Sequence, residues 1–220
     1  MTERVPEETN DSGREPSQGL LVPLRSTLSK LDAFSGQLVA VEEISQDPQT
    51  AFGAFVAKGP RASDPREYAE LIEAIHEGFL SHYGTPRVLR RGIDEDLALL
   101  AGDYLYALGL EQLAALGNTA AVAELSDLIS LQALLHSDGH PESPGEESLI
   151  RSLWMSTLVA VACGGSKEFA ALKAEIPAAS DPEGLAERLR AWADARVIEA
   201  GVGEAWAQVP EQVGFDSSVN

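Results

Sequence analysis

Apolar residues recur at intervals of three and four along most of the chain, and nowhere do they settle into strict alternation with polar ones. Leu24, Thr27, Leu28, Leu31, Phe34, Leu38 and Val41 keep to one face of an amphipathic helix. Asp64 and Pro65 supply an N-cap and a first helical position. The segment they open runs through Tyr68, Leu71, Ile72, Ile75 and Phe79 to a stop at Gly84. Asp94, Glu95 and Asp96 open a third helix at the end where negative charge suits the macrodipole. From Leu97 to Leu110 that helix is apolar on every side except at Asp103, which predicts that it is the buried, central helix of the fold. A fourth helix starts at Asn118 or Thr119, carries Val122, Leu125, Ile129 and Leu135, and stops before the break from Gly139 to Gly145. A fifth covers 146–163 and ends at Gly164-Gly165, with shorter helices after Ser166 and from Pro182 to about Ile198. No segment has the period of a strand, so the expected fold class is all-α.

The two ends break this pattern. Residues 1–20 are rich in Glu, Ser, Pro and Gly with little to bury, and are expected to form a disordered acidic and polar tail. Residues 209–220, where Phe215 is the only large apolar side chain, are expected to be a flexible C-terminal tail, leaving 21–208 as a single helical domain. Lys and Arg total 16 against 35 Asp and Glu, a formal charge of −19 that would repel nucleic acid and anionic membrane surfaces. The lone cysteine, Cys163, falls in an apolar helix, which suits a packed thiol in a reducing compartment. No apolar run approaches the roughly 20 residues of a membrane span, and the acidic start lacks a signal peptide's pattern, so no membrane insertion and a cytoplasmic location are expected.

Few side chains carry candidate chemistry. Arg87, Arg90 and Arg91 form the chain's one basic cluster, a candidate contact for a diphosphate or an acidic partner, or else a solvated loop. Asp103, alone in an apolar helix, has to be paired or hydrogen-bonded if buried, and is expected to fix helix packing. Asp94, Glu95 and Asp96 are explained by the helix start. His76 and His82 share no face well, and His136 and His140 straddle Gly139, so no zinc site is expected. Cys163 has no cationic neighbour in sequence, Trp154, Met155 and Cys163 fit a core helix, and Gly164-Gly165-Ser166-Lys167 lacks the upstream glycine and strand of a phosphate loop. No catalytic, metal-binding or cofactor-binding residue is expected in the isolated chain.

One string is more specific. Leu97-Ala98-Leu99-Leu100-Ala101-Gly102-Asp103-Tyr104-Leu105 resembles the Gly-Asp-Tyr-Leu helix of the trans-polyprenyl diphosphate synthase family, with Gly102, Asp103, Tyr104 and Leu105 as its structural motif. Gly84-Thr85-Pro86-Arg87 is similar to the family's Gly-Lys-Pro-Thr stretch, and the layout from Leu113 through Leu135 and from Ile150 to Cys163 is similar to later family helices. The resemblance spans about half the chain, from Gly84 to Cys163. It implies a shortened helical bundle of the isoprenoid-synthase type.

The departures concern the chemistry. Family enzymes ionise an allylic diphosphate whose charge is held by Mg²⁺ on two aspartate-rich motifs. Here the stretch from His76 to Gly84 contains no aspartate, Trp154 and Met155 stand where the resemblance places a Lys-Thr pair, and 170–177 holds no second motif. The basic segment that holds isopentenyl diphosphate has only a faint echo in Lys58-Gly59-Pro60-Arg61. The resemblance therefore implies a non-catalytic small subunit or pseudoenzyme of isoprenoid biosynthesis. Its partner would be a catalytic polyprenyl diphosphate synthase carrying the Mg²⁺, or a second copy of itself, met through Leu97 to Leu135. The alternatives are a free-standing helical protein that binds an apolar ligand or a protein, and an active prenyltransferase with rearranged Mg-diphosphate ligands.

Overall fold

A computed structural model describes residues 19–30, 40, 51–137 and 143–210. Among them are nine α-helices and no strand, so the chain is all-α. The helices are α1 (Leu21–Leu28), α2 (Ala51–Ala57), α3 (Pro65–Tyr83), α4 (Glu95–Ala115), α5 (Thr119–Leu135), α6 (Pro144–Cys163), α7 (Lys167–Glu175), α8 (Pro182–Ala200) and α9 (Gly203–Trp206), with a 3₁₀ turn at Ile176–Ala178. The N-terminal pattern from Leu31 to Val41 and both expected tails, apart from 19–20 and 209–210, lie outside the described residues. No described helix is long and apolar enough to cross a membrane.

Side-chain caps set most of the starts. Asp64, Asp94, Asn118, Ser166 and Asp181 each accept a hydrogen bond from a backbone N–H of the first turn, satisfying donors that the helix itself leaves free. At α6, Ser143 and Glu146 form a reciprocal capping box that moves the start two residues ahead of the expected one, with Pro144 at the first helical position. The third helix continues to Ala115, a turn past the expected end.

The centre of the fold is α6, not the helix the hydropathy favoured. From Leu149 to Cys163 every residue except Arg151 and Met155 is buried. Helix α6 packs on α8, on α5 and on α2, and Trp154 meets Phe52 and Phe79 from the other half of the bundle. Contacts along α6 and α8 advance together: Ser148 with Glu183, Ser156 with Leu189, Cys163 with Arg196. The two helices are therefore parallel, with α7 crossing back between them. Lys173 of α7 is buried and bonded to Glu124 and Asp127 of α5, which ties this crossing to the bundle.

Helix α4 instead lies against α3 by one narrow edge, Ala101, Gly102, Leu105, Gly109 and Leu113. The edge is nearly bare because the two helices approach closely: a Cβ at Gly109 would stand 2.6 Å from Ile75 Cγ1, and one at Gly102 would stand 2.9 Å from His82 Nε2. The opposite face stays in contact with water. Leu100 is 62% exposed, and Leu99 and Tyr104 are exposed beside it.

Helix α2 has no counterpart in the sequence pattern, since it is seven residues long and carries Gly53 in its middle, where glycine costs about 1 kcal/mol relative to alanine. The glycine is there for proximity: its Cβ would run into the Ala69 carbonyl of α3. Gly53→Ala is therefore expected to lower stability by about 1–3 kcal/mol despite the gain in helix propensity, because the obstructing atom is backbone and cannot swing aside. Urea denaturation followed by circular dichroism checks this; an unchanged or higher midpoint contradicts it.

Candidate functional site

Helix α3 carries two carboxylates four residues apart, Glu73 and Glu77, and both are fully buried. Neither can stay charged there without compensation. Arg87, from the loop that follows α3, provides it: Nη1 lies 2.6 Å from Glu73 Oε2, and Nε lies 2.9 Å from Glu77 Oε2. The second oxygen of Glu73 accepts the Gly53 N–H of α2 at 2.8 Å. The second oxygen of Glu77 accepts the backbone N–H groups of Arg87 and Val88, at 2.7 and 2.6 Å. One planar guanidinium thus spans both acids, a geometry that an ammonium could not reproduce. Burial pushes the Glu73 carboxyl up, but Arg87, His76 and the Gly53 N–H together outweigh it and hold the carboxyl below its ordinary value. Burial lowers the Arg87 value, and the two carboxylates overcome that and raise it.

A string of rings runs from this cluster towards the open end of α3. His76 packs against Phe52 and Trp154, Phe79 against Trp154, and Tyr83 stacks on His136, the residue that ends α5, with centroids 4.0 Å apart. His82 stacks on Tyr106 of α4 almost in parallel, and its Nε2 lies 3.1 Å from Asp103 Oδ1. Burial pushes the Tyr83 hydroxyl up and Asp103 adds to the shift; Tyr106 moves further the same way, by burial and then by Tyr83 and Asp103. Both phenols stay neutral and act as packing surfaces.

The expected site residues are redistributed by this arrangement. Arg87 is separated from its neighbours, sunk in the bundle with a side chain 14% exposed, while Arg90 and Arg91 are exposed. The three do not act as one cationic patch. Asp103 was expected to be buried and is not: its side chain is 68% exposed, because α4 meets α3 by the edge beginning at Ala101 and Gly102, and Asp103 stands just outside that edge. Within the Gly102 to Leu105 string, Gly102 leaves room for His82, Asp103 faces its imidazole, Leu105 is buried in a small cluster with Ala74, Val88 and the leucines of α1, and Tyr104 faces outward. Trp154 is core, and Met155 is half-buried at the edge of a cleft. Burial pushes the Cys163 thiol up, more than Arg196 lowers it.

Glu73 and Glu77 escaped the sequence reading because charged residues within an amphipathic helix ordinarily face water. The available signal was their spacing: four apart, they share a face with Ala69 and Leu80, and a helix with apolar residues at 68, 71, 72, 75 and 79 has little room for a polar side. Among the described residues, no three of His, Cys, Asp and Glu come together as a metal ion requires. Comparison with protein-family models, curated proteins and solved structures finds no match for this chain.

The cluster should behave as a unit. Arg87→Met strands two acids in the interior and is expected to cost about 3–5 kcal/mol, more than Glu77→Gln alone. Adding Glu73→Gln and Glu77→Gln to Arg87→Met should restore part of the loss, and additive losses in a urea-denaturation cycle would contradict the coupling. Because the folded Glu73 carboxyl is depressed, its contribution is complete above the ordinary value of 4.5 and disappears as pH falls through the lower folded value. Stability of the wild-type chain should therefore decline on acidification below that point, and Glu73→Gln should flatten this part of the profile.

Proposed function

We propose that this chain is a non-catalytic subunit related to the trans-polyprenyl diphosphate synthases, which pairs with a catalytic synthase subunit through the outer face of α4. The observation that carries the reading is the exposure of Leu99, Leu100 and Tyr104 on the helix bearing the Gly102 to Leu105 string. Apolar surface left in water forgoes about 25 cal/mol per Å², and contiguous apolar surface on a folded chain commonly marks an interface. Helix α5 follows α4 after a short turn and exposes Ala133 and Leu134 near its own end, so small and apolar side chains continue the same character on the adjoining helix.

Two further features support a role without chemistry. The guanidinium of Arg87, the most natural cation to meet a diphosphate in the stretch similar to the family's Gly-Lys-Pro-Thr, is committed to Glu73 and Glu77. Asp103 faces an imidazole, and among the described residues no second carboxylate joins the pair to hold a cation. In this reading the partner supplies the Mg²⁺ and the reacting carbons. The chain acts by lying against the partner's helices and so altering the conformation that sets its activity or product length.

The decisive experiment is co-purification of the tagged chain from its native source, followed by prenyl-elongation assays with Mg²⁺ on the isolated and associated forms. A co-purifying synthase whose rate or product length changes on association is the expected result. Leu100→Arg combined with Tyr104→Arg should abolish association while leaving helicity intact, because both side chains already face water. A chain recovered alone and inert, or only as a homodimer, contradicts the heteromeric reading; turnover by the isolated chain contradicts the non-catalytic one.

A further inference from the structure

A cleft of about 450 Å³ opens between α6, α8 and α9, away from the α3 cluster and from the exposed face of α4. Its volume lies within the roughly 300–1,000 Å³ of small-molecule sites. Because α6 and α8 are parallel, their lining residues fall into levels. Arg151 and Ser152 of α6 stand level with Arg190 of α8, as the 3.3 Å approach of Arg190 Nη1 to Ser152 Oγ fixes. One turn further along both helices the lining becomes Met155 and Ala193, faced by Trp206 of α9. The cleft thus has a guanidinium end and an apolar end.

Both ends are held in place. Arg190 is anchored by Ser148 Oγ at 2.9 Å and Glu183 Oε1 at 3.1 Å, and Arg151 by Glu147 at 3.1 Å; neither glutamate lines the cleft. Asp194, the one lining carboxylate among the described residues, accepts the Trp206 indole N–H at 3.2 Å and so positions the aromatic wall. Among the described residues the lining itself holds two guanidiniums, each paired to a glutamate outside it, and one carboxylate, in a chain of net charge −19. Two other clefts pair cations with acids: the one beside Gly164 and Lys167 is walled mainly by glycine and alanine, and the one lined by Arg188 and Arg196 sets two carboxylates, Glu168 and Glu199, against them.

The geometry points to a binding site for a small amphipathic carboxylate. Its head would meet the Arg151 and Arg190 guanidiniums, whose planar donors match a carboxylate, and its hydrocarbon would lie along Trp206 and Met155, whose unbranched thioether adapts to chains of different shape. The site is independent of the partner-subunit reading and stands or falls separately from it.

The test is isothermal titration of the full chain with decanoate below its micellar range, with decanol as the uncharged control. Saturable one-to-one binding is expected, weakened about tenfold or more by Arg190→Gln and by Arg151→Gln, each of which removes a charge-assisted contact. Arg188→Gln, an exposed cation paired with Glu175 outside this cleft, should leave binding unchanged. Circular dichroism establishes that the variants are folded, and Arg151→Gln alone decides the matter if Arg190→Gln is not. Absence of saturable binding, equal affinity for decanol, or an equal loss in Arg188→Gln overturns the proposal.

Discussion

Two acids buried on one helix have to find positive charge, and Glu73 and Glu77 find it by drawing the loop after α3 back across that helix. Arg87 is the anchor of this return. Once its guanidinium spans both carboxylates, the backbone from Arg87 to Val88 is fixed on Glu77, and α2 is fixed on Glu73 through Gly53. Three chain segments that share no hydrophobic pattern are thereby held in register. A desolvated ion cluster of this kind adds little to net stability compared with an apolar replacement, but it permits only one arrangement of its partners. Its contribution here is to position, and α4 and the aromatic string are built on that position.

Helices α4 and α6 show how the same hydropathy produces different structures. Both are apolar over most of their length. Helix α6 is enclosed by α2, α5 and α8, whereas α4 presents a glycine and alanine edge to α3 and leaves Leu99, Leu100 and Tyr104 outside. Small residues bring two backbones close at the cost of width, so a helix that packs through glycine has fewer neighbours than one that packs through leucine. The sequence-level expectation of a central helix at Leu97 to Leu110 failed for this reason. Hydropathy measures how much of a helix prefers to leave water, not whether its own chain supplies the cover.

Helix positions were largely legible because capping is local chemistry: Asp64 before Pro65, Asp94 before its acidic turn and Asn118 before an apolar run each announce a start that the coordinates bear out. Helix α2 was not, since a seven-residue segment with a central glycine forms only through its contacts with other helices, α3 and α6 here. The buried acids, the exposure of Asp103 and the isolation of Arg87 from Arg90 and Arg91 were equally illegible. Each depends on how α3, its following loop and α4 meet, and no interval along the chain encodes that meeting. The cleft beside Trp206 is of the same kind, since it exists only because two helices from different parts of the chain run in one direction.

The parallel pairing of α6 and α8 also bears on how the molecule assembles. Parallel neighbours cannot be joined by a tight turn, and the contacts between them close wide loops: Ser156 to Leu189 spans 33 residues, and Ser148 to Arg190 spans 42. The pairing of Glu77 with Arg87 closes a loop of only ten. Ordering the chain over a short loop sacrifices less entropy before its contacts form, so low contact order favours early assembly of α3 with its loop and late docking of α8. The most extensively packed pair in the finished structure is then among the last to form, and until it does the apolar side of α6 stays open to solvent and to other chains.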